Sequence, residues 1–331
     1  MPSDNDTRDL PWLEPLRERL RQALLRDRLP HGLLLEGPQG IGKRCFSRWL
    51  TALVMCAAPR DRRPCRECRN CQWLAAGTHP DVYDVLPEQG KKWISVEQTR
   101  SLIESLSLKS FAGGPKVAIV VPASSLTPNA ADSLLKTLEE PTPGTLLMLV
   151  ASRPARLPAT VRSRCQRLRF SAPAPAESLG WLRTCEPRAD WPRLLELAGG
   201  APLAAIELHE SGIDSLDSDF CSDLEGLIRH RQQPFVVANR WGRSPPELVL
   251  RWLEHCTRQL IVSRFRDAGP QSGLQKAAEN LKLERLFHYL DRVDELRRLL
   301  DSPLNWPLQI ESLVIPWSEG LRLTADDRAI E

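Results

Sequence analysis

Short apolar runs alternate with stretches of helical periodicity along the first half of the chain. Leu33–Leu35, Val117–Val121 and Leu146–Ala151 are continuous apolar runs of strand length, typical of strands buried on both faces of a parallel sheet. Between such runs the apolar residues recur every three or four positions, and Ser95 with Gln98 has the sequence of a helix-opening capping box. Because strand and helix alternate, the pattern predicts an α/β fold with a doubly wound parallel sheet.

Weaker signals complete this first half. Asp81–Leu86 alternates like a strand, and Arg167–Phe170 is interpreted as the last strand of the sheet. Thr127 and Pro128 have the residue types expected at the N-cap and first turn of a helix. We expect that helix to continue to Pro141, which ends it.

The pattern changes at Pro173 and Pro175, and after a short helical unit only helical periodicity remains. We therefore expect three domains along the chain. They are a sheet domain at 1–170, a small helical unit at 171–210 and an all-α region at 211–331.

The segment Gly37–Arg44 follows the first strand run and nearly matches the phosphate-binding loop G-x-x-x-x-G-K-[ST]. Gly37, Gly42 and Lys43 are in place, so backbone N–H groups could surround a phosphate and the lysine could reach it. Arg44 stands where a hydroxyl would hold magnesium, and its positive charge would repel the cation. We interpret the loop as degenerate, with no functional ATP binding; nucleotide binding without hydrolysis is the open alternative.

A cysteine cluster is the strongest chemical signal that the residues carry by themselves. Cys65, Cys68 and Cys71 are spaced C-x₂-C-x₂-C, and Cys56 lies nine residues before the first of them. Four thiolates suit a tetrahedral structural zinc site with no open position. A reduced thiol loop without metal and an iron–sulfur cluster remain the alternatives.

Five arginines lie close to these cysteines in the sequence, and their positive charges would offset the negative charge of a zinc tetrathiolate. They are Arg60, Arg62, Arg63, Arg66 and Arg69. His79 is interpreted as a structural turn residue rather than a ligand. The other five cysteines are expected to be buried or free thiols: Cys45, Cys165, Cys185, Cys221 and Cys256.

Composition narrows the class of protein without identifying it. The chain has 331 residues, 42% hydrophobic content and a net charge of +3, which is too balanced to indicate nucleic-acid binding. Met1–Asp6 is polar and acidic, so we expect no signal peptide. No apolar run has membrane-spanning length, and the expected location is the cytoplasm, where disulfides are rare.

Three further motifs indicate a family. They are Ala76–Asp81, Leu134–Pro141 with the sequence LLKTLEEP, and Ser163–Cys165 with the sequence SRC. With them the chain resembles the AAA+ clamp-loader subunits of bacterial DNA polymerase III. The resemblance is dense from Trp12 to Phe170, and Asn305–Glu311 is similar to the family's final collar helix.

The resemblance implies an AAA+ sheet domain, a lid and a collar, and it identifies further losses. In active members the strand matching Val117–Val121 ends in Asp-Glu, but Val121 and Pro122 stand there and cannot hold magnesium or activate water. The position of the family's lid arginine falls at Leu203. Together with Arg44, these residues imply the non-hydrolytic kind of subunit, with no intrinsic ATPase or polymerase activity.

The resemblance also implies a role for Arg164. An arginine within a basic stretch is usually part of a solvated surface, but the family's Ser-Arg-Cys arginine enters the ATP site of a neighbouring subunit. A guanidinium offers a planar fork of donors matched to phosphate. The implied partners are the gamma/tau and delta subunits directly, and the sliding clamp and primed DNA through the complex, with no membrane partner.

Two rival functions are considered, an active gamma/tau-like AAA+ clamp-loader ATPase and a zinc-dependent DNA-binding module. Arg44, Val121 and Pro122 oppose the first. The second is opposed by the segment 60–69, which has arginines but no interleaved aromatic residues for stacking. Glu139–Glu140 could be mistaken for a catalytic carboxylate pair, but it ends a helix and is interpreted as intersubunit surface.

Overall fold

Two compact units make up the chain, Met1–Ile206 and Glu207–Glu331. The computed structural model describes residues 9–187, 189–265, 272–300 and 304–321. The segment Met1–Asp6, for which we expected no signal peptide, lies outside those ranges. Within them, no helix is long and apolar enough to cross a membrane. The finer division at residues 170 and 210 stays a prediction.

A five-stranded sheet in which all pairs are parallel organises the first unit. Its strands are β1 Gly32–Glu36, β2 Val82–Val85, β3 Lys116–Val120, β4 Thr145–Ala151 and β5 Gln166–Arg169. Their spatial order is β2-β3-β4-β1-β5, so β1 lies between β4 and β5, with Leu34 beside both Leu149 and Arg167. The predicted α/β fold with a parallel sheet is confirmed.

Burial explains why some strands were clearer in the sequence than others. Every position of β1, β3 and β4 is buried, which is why each contains a continuous apolar run, with a polar residue only at one end. The edge strands β2 and β5 have mixed burial, and their sequence signals are correspondingly weaker.

Helices connect the strands of the first unit. They are α1 Glu14–Leu25, α2 Lys43–Met55, α3 Arg69–Ala75, α4 Val96–Ser107, α5 Pro128–Ser133, α6 Leu135–Glu139, α7 Ala159–Arg164, α8 Pro175–Cys185, α9 Trp191–Leu197 and α10 Pro202–Glu210, the last of which continues into the second unit. The capping box predicted at the start of α4 is confirmed. Gln98 donates its backbone N–H to Ser95 Oγ at 3.3 Å, and Ser95 donates its own to Gln98 Oε1 at 3.1 Å.

The single helix expected from Pro128 to Pro141 is instead two short helices. At the junction, Leu134 donates its backbone N–H to Ala131 O at 3.2 Å, which is the tighter three-residue turn. Both Leu134 and Leu138 are buried in the core of the sheet domain. The apolar spacing of the segment therefore survives the tight turn, which is why periodicity alone did not reveal it.

The second unit is all-helical in its described residues, as predicted for the collar. Its helices are α11 Ile213–Ile228, α12 Pro234–Trp241, α13 Pro246–Ser263, α14 Gly273–Ala277, α15 Leu283–Arg298 and α16 Trp306–Ser318. Phe220, Trp241 and Trp252 form a buried aromatic cluster, with ring centroids 4.4 to 5.7 Å apart. The buried Asp223 accepts a hydrogen bond from Trp241 Nε1 at 2.9 Å.

Candidate functional site

The phosphate loop lies at the carboxyl edge of the sheet, directly after β1, where ligands bind in parallel α/β sheets. Lys43 opens α2 and is buried. Its Nζ donates to Gly37 O at 2.7 Å, to Pro38 O, and to Ser152 Oγ at 3.1 Å. An ammonium has three N–H donors, so the chain itself supplies one acceptor for each. Burial lowers the pKa of Lys43 to about 8.

Other segments of the first unit pack directly against the loop. Gly40 has φ +75°, and a Cβ there would lie 2.4 Å from Ala204 Cβ in α10. Leu203, the position matching the family's lid arginine, donates its backbone N–H to Gly40 O at 2.9 Å. On another side, Trp12 Nε1 donates to Ile41 O at 3.0 Å. The loop is thus covered by its own chain.

The predicted losses occupy the expected places. Arg44 lies in the first turn of α2 and is half-buried. Val121 and Pro122 follow β3 at the same sheet edge, where Val121 donates its backbone N–H to Val85 O at 3.0 Å. Neither side chain offers a carboxylate to this end of β3.

Sequence reasoning missed Ser152, which accepts a hydrogen bond from Lys43. The sequence does contain a signal for Ser152: the residue directly follows the buried strand β4 and therefore lies at the carboxyl edge of the sheet. A serine after an apolar run is common enough that the position alone did not single it out.

Two arginines of the basic stretch have a partner within the sheet. Glu36, at the end of β1, is buried, and Arg167 contacts both of its carboxylate oxygens at 2.8 to 3.0 Å. Arg169 Nε donates to Glu36 Oε1 at 3.1 Å. Burial raises the pKa of Glu36, but the two guanidinium groups outweigh it and the pKa is lowered. Arg167 and Arg169 are therefore structural.

Arg164 lies at the opposite, amino edge of the sheet. It is the last residue of α7, immediately before Cys165 and β5. Cys165 is buried in the core of the sheet domain, and this burial raises the pKa of its thiol to about 11. Ser163 Oγ donates to Thr160 O at 3.0 Å within the helix. The buried cysteine thus anchors the backbone from which the arginine extends to the surface.

The guanidinium of Arg164 is held by two groups of this chain. Its Nε donates to Glu139 Oε1 at 2.5 Å, and its Nη2 also contacts Glu139 Oε1. Its Nη1 donates to Thr160 O at 3.0 Å. The side chain remains 35% exposed. The sequence predicted Glu139 to be part of an intersubunit surface but did not predict its contact with Arg164.

The amino end of β1 fixes where this arginine lies. A Cβ on Gly32 would lie 3.0 Å from Leu138 Cδ2 and 3.6 Å from Arg164 O, so α6 and α7 both approach the strand closely here. The five residues of β1 begin at Gly32 and end just before the phosphate loop, so the strand spans about 16 Å at 3.3 Å per residue. Arg164 and the phosphate loop thus mark opposite ends of one strand.

The predicted cysteine cluster is assembled. The Sγ atoms of Cys56, Cys65, Cys68 and Cys71 all lie within 4.8 Å of one another. Three of the separations are 3.4, 3.9 and 4.0 Å. Sulfur atoms that ligate tetrahedral zinc at about 2.3 Å are about 3.8 Å apart, so this arrangement could hold a metal.

Backbone N–H groups point at the sulfur atoms. Cys65 donates its N–H to Cys56 Sγ at 3.4 Å, and Cys68 donates to Cys65 Sγ at 3.3 Å. Burial raises the pKa of Cys68, but hydrogen bonds from backbone groups at Ala57 and Cys71 outweigh it and lower the pKa to about 6. Burial raises the pKa of the Cys71 thiol to about 12, so the loop favours the thiolate form that metal binding requires at Cys68 and disfavours it at Cys71.

The surrounding arginines contact groups other than the sulfur atoms. Arg60 pairs with Asp27 at 2.5 Å, Arg63 Nε donates to Ala58 O at 2.7 Å, and the Arg69 guanidinium lies 4.3 Å from the Trp73 ring centroid. Arg66 is exposed, and the side chain of Arg62 lies outside what the structure describes. Arg60 thus ties the cysteine loop to the end of α1, whereas Arg63 and Arg69 make contacts within the loop and α3.

His79 is buried outside the cluster and serves a turn. Its Nδ1 accepts the backbone N–H of Asp81 at 3.1 Å, and Trp73 packs edge-on at 5.5 Å between ring centroids. Burial lowers the pKa of His79, against the nearby Asp81 charge, so the ring is held neutral. The histidine is a structural residue of this turn.

Comparisons with known proteins agree with these observations. The chain is 32% identical over 326 residues to the DNA polymerase III delta-prime subunit of Pseudomonas aeruginosa, covering 93% of this chain and 97% of that protein. It is 39% identical over 203 residues to the delta-prime subunit of Escherichia coli, 60% of each chain. A solved DNA polymerase III gamma-subunit-related protein of Thermotoga maritima is 18% identical, with a TM-score of 0.49 and coverage of 92% and 99%.

A family model described as DNA polymerase III, delta subunit, matches residues 13–174, the span that holds the sheet and both motif-bearing edges. The fold and the motifs therefore define an AAA+ clamp-loader protein, as the resemblance indicated. Within that class, the chain belongs to the delta-prime family of DNA polymerase III subunits.

Proposed function

We propose that this chain is the non-hydrolytic subunit of a DNA polymerase III clamp loader and supplies Arg164 to the ATP site of a neighbouring subunit. The observation that carries the proposal is the position of Arg164, exposed at the amino edge of the sheet. Its own phosphate loop lies at the other end of β1, about 16 Å away along the strand, beyond reach of an arginine side chain. A phosphate bound at this chain's own loop is therefore out of reach of Arg164, which supports a role at the site of another subunit.

The closed phosphate loop supports the same proposal. All three N–H groups of the Lys43 ammonium donate to acceptors of its own chain. Ala204 packs so close to Gly40 that a Cβ at Gly40 would have no room. Val121 and Pro122 bring no carboxylate for magnesium or water. Phosphoryl transfer depends on a positioned cation and charged groups, so this chain hydrolyses no ATP of its own.

The proposed direct partners are the gamma/tau and delta subunits, and the sliding clamp and primed DNA are reached through the complex. The second unit offers apolar surface for such contacts. On α12, Phe235 is 63% and Val236 49% exposed, and α16, which packs against α12, exposes Leu308 by 57%. We propose that these exposed apolar side chains on two packed helices contribute to a subunit interface.

The test is a reconstituted loader carrying Arg164→Ala. We expect the isolated variant to fold normally and the complex to assemble. Turnover at the neighbouring ATP site should fall by about 10³-fold or more, as for other arginines supplied in trans, and clamp loading should fall with it. Arg164→Lys should rescue poorly, because a point charge cannot reproduce a two-pronged contact with phosphate.

Arg100→Ala, which removes an exposed arginine from α4, is the matched control and should leave turnover unchanged. Full clamp- and DNA-stimulated ATPase activity in the Arg164→Ala complex would remove the trans role and leave the chain as a scaffold.

We also propose that Cys56, Cys65, Cys68 and Cys71 hold a structural zinc ion in the first unit. Support comes from their sulfur geometry and the backbone N–H groups that favour thiolates. The purified protein should carry one zinc per chain by elemental analysis. Cys68→Ser should release the metal and destabilise the first unit, since binding energy at such sites is folding energy. Cys185→Ser, at an exposed cysteine, should change neither; zinc-free wild-type protein purified without chelator would refute the proposal.

A further inference from the structure

Glu139 contacts the one side chain on which the proposed function depends. Its Oε1 accepts a hydrogen bond from Nε of Arg164 and also contacts Nη2, and Thr160 O accepts a hydrogen bond from Nη1. A guanidinium has five N–H donors, so these contacts leave two, one on each terminal nitrogen. Two N–H groups on the two terminal nitrogens are enough for a two-pronged contact with a phosphate.

The carboxylate is itself well placed. Glu139 ends α6, whose preceding carbonyl, Leu138 O, is hydrogen-bonded to His31 Nε2 at 2.9 Å. Leu138 is buried against the position of Gly32, which has no side chain to hold α6 away from β1. The sheet therefore fixes the end of α6 and, through it, the carboxylate that holds the arginine.

The pair is poorly explained as a stabilising element. Glu139 is 49% exposed and Arg164 35% exposed, and ion pairs at such exposure contribute little to folding. A carboxylate at the last residue of a helix is also opposed by the helix dipole. What the contact does achieve is to restrict a long, flexible side chain to one orientation before any phosphate arrives.

We propose that Glu139 is a positioning residue for Arg164, holding its guanidinium so that the two remaining N–H groups meet a phosphate of the neighbouring subunit. The inference rests on the proposed function, since it requires that Arg164 act in trans. Glu139 touches no substrate itself; it lowers the conformational entropy that the arginine loses on reaching the phosphate.

The experiment is a double-mutant cycle in the reconstituted loader, with clamp- and primed-DNA-stimulated ATP turnover as the measurement. The Arg164-dependent part of the turnover rate is the rate of the wild-type loader minus the rate of the Arg164→Ala loader. Glu139→Ala should lower this part about three- to fivefold, the range of an exposed ion pair, with kcat reduced and the KM for ATP unchanged. Glu139→Gln, which keeps an acceptor oxygen, should lose less.

Glu104→Ala is the matched control. It removes an exposed carboxylate, and with it the same charge, from α4 without touching the contact to Arg164; it should leave turnover unchanged. In the Arg164→Ala background, Glu139→Ala should have no further effect, because its target is gone.

Three outcomes would overturn the positioning role. They are an unchanged rate in Glu139→Ala, a raised rate, which would mean that Glu139 withholds the arginine, and an equal loss in the Arg164→Ala background. If Arg164→Ala itself has no effect, the proposed function fails first, so the two failures are distinguishable.

Discussion

A cationic side chain lies near each end of β1, and the two differ in burial and in hydrogen bonding. At the carboxyl end, Lys43 is buried and all three of its N–H donors are bonded within the chain. At the amino end, Arg164 stays exposed, and two of its five donors are left by its contacts with Glu139 and Thr160. One strand thus links a phosphate loop that its own chain covers with an exposed arginine that we propose binds a phosphate of a neighbouring subunit.

The difference lies in what the two side chains contact. Lys43 and Gly40 have packing roles, since the lysine ties the loop to Ser152 and the glycine admits Ala204. Their presence alone is therefore no evidence for nucleotide binding. For Arg164, we propose a ligand outside the chain.

Among substitutions that test this contrast between the two ends of β1, we expect the largest effect on stability at Gly40. Gly40→Ala places a Cβ 2.5 Å from the backbone nitrogen of Ala204, at φ +75°. We expect a loss of about 2–4 kcal/mol in the free energy of unfolding, from overpacking and from the left-handed backbone. Urea denaturation of the purified protein measures it.

Gly90→Ala separates the two causes. Gly90 has φ +79° but no atom within 4 Å of its added Cβ, so only the backbone contribution of about 1 kcal/mol should remain. Equal losses in the two variants would mean that α10 does not close the loop tightly, and the contrast between the two ends of β1 would weaken.

A smaller effect is expected in the pH dependence caused by Lys43. Its pKa is about 8 in the folded protein and about 10.4 in an unfolded chain. Between these values the unfolded state binds more protons, so the lysine's contribution to stability is full above about pH 10.4 and is lost as pH falls through 8.

Lys43→Met should abolish this contribution. The free energy of unfolding of wild type minus that of Lys43→Met should rise by roughly 3 kcal/mol between pH 7 and pH 10.5. Lys109→Met, at an exposed lysine, controls for the substitution itself. A flat difference would show that the ammonium is hydrated, and the loop would then be open to a ligand.

Much of the fold followed from local pattern. Buried strands such as β4 are continuous apolar runs because both of their faces are covered, and Ser95 with Gln98 satisfies two helix N–H groups within four residues. The cysteine cluster was equally readable, since the spacing from Cys65 to Cys71 allows few arrangements other than a shared site.

What escaped prediction depends on contacts between distant segments. Ala204 meets Gly40 across 164 positions of the chain, and no local pattern records that approach. Glu139 and Arg164 lie on separate helices, and their contact follows from how closely both approach Gly32. The tight turn at Leu134 was hidden because the apolar spacing around it is the same in one helix or two.

The burial of Cys165 has a consequence for how the arginine motif withstands oxidants. With a pKa of about 11, only about one thiol in ten thousand is ionised at neutral pH, and the thiolate is the form that oxidants and alkylating reagents attack. The thiol next to Arg164 should therefore react slowly with oxidants and alkylating reagents. Thiol-directed reagents should modify the exposed Cys185 and the partly exposed Cys68 before they reach the arginine motif.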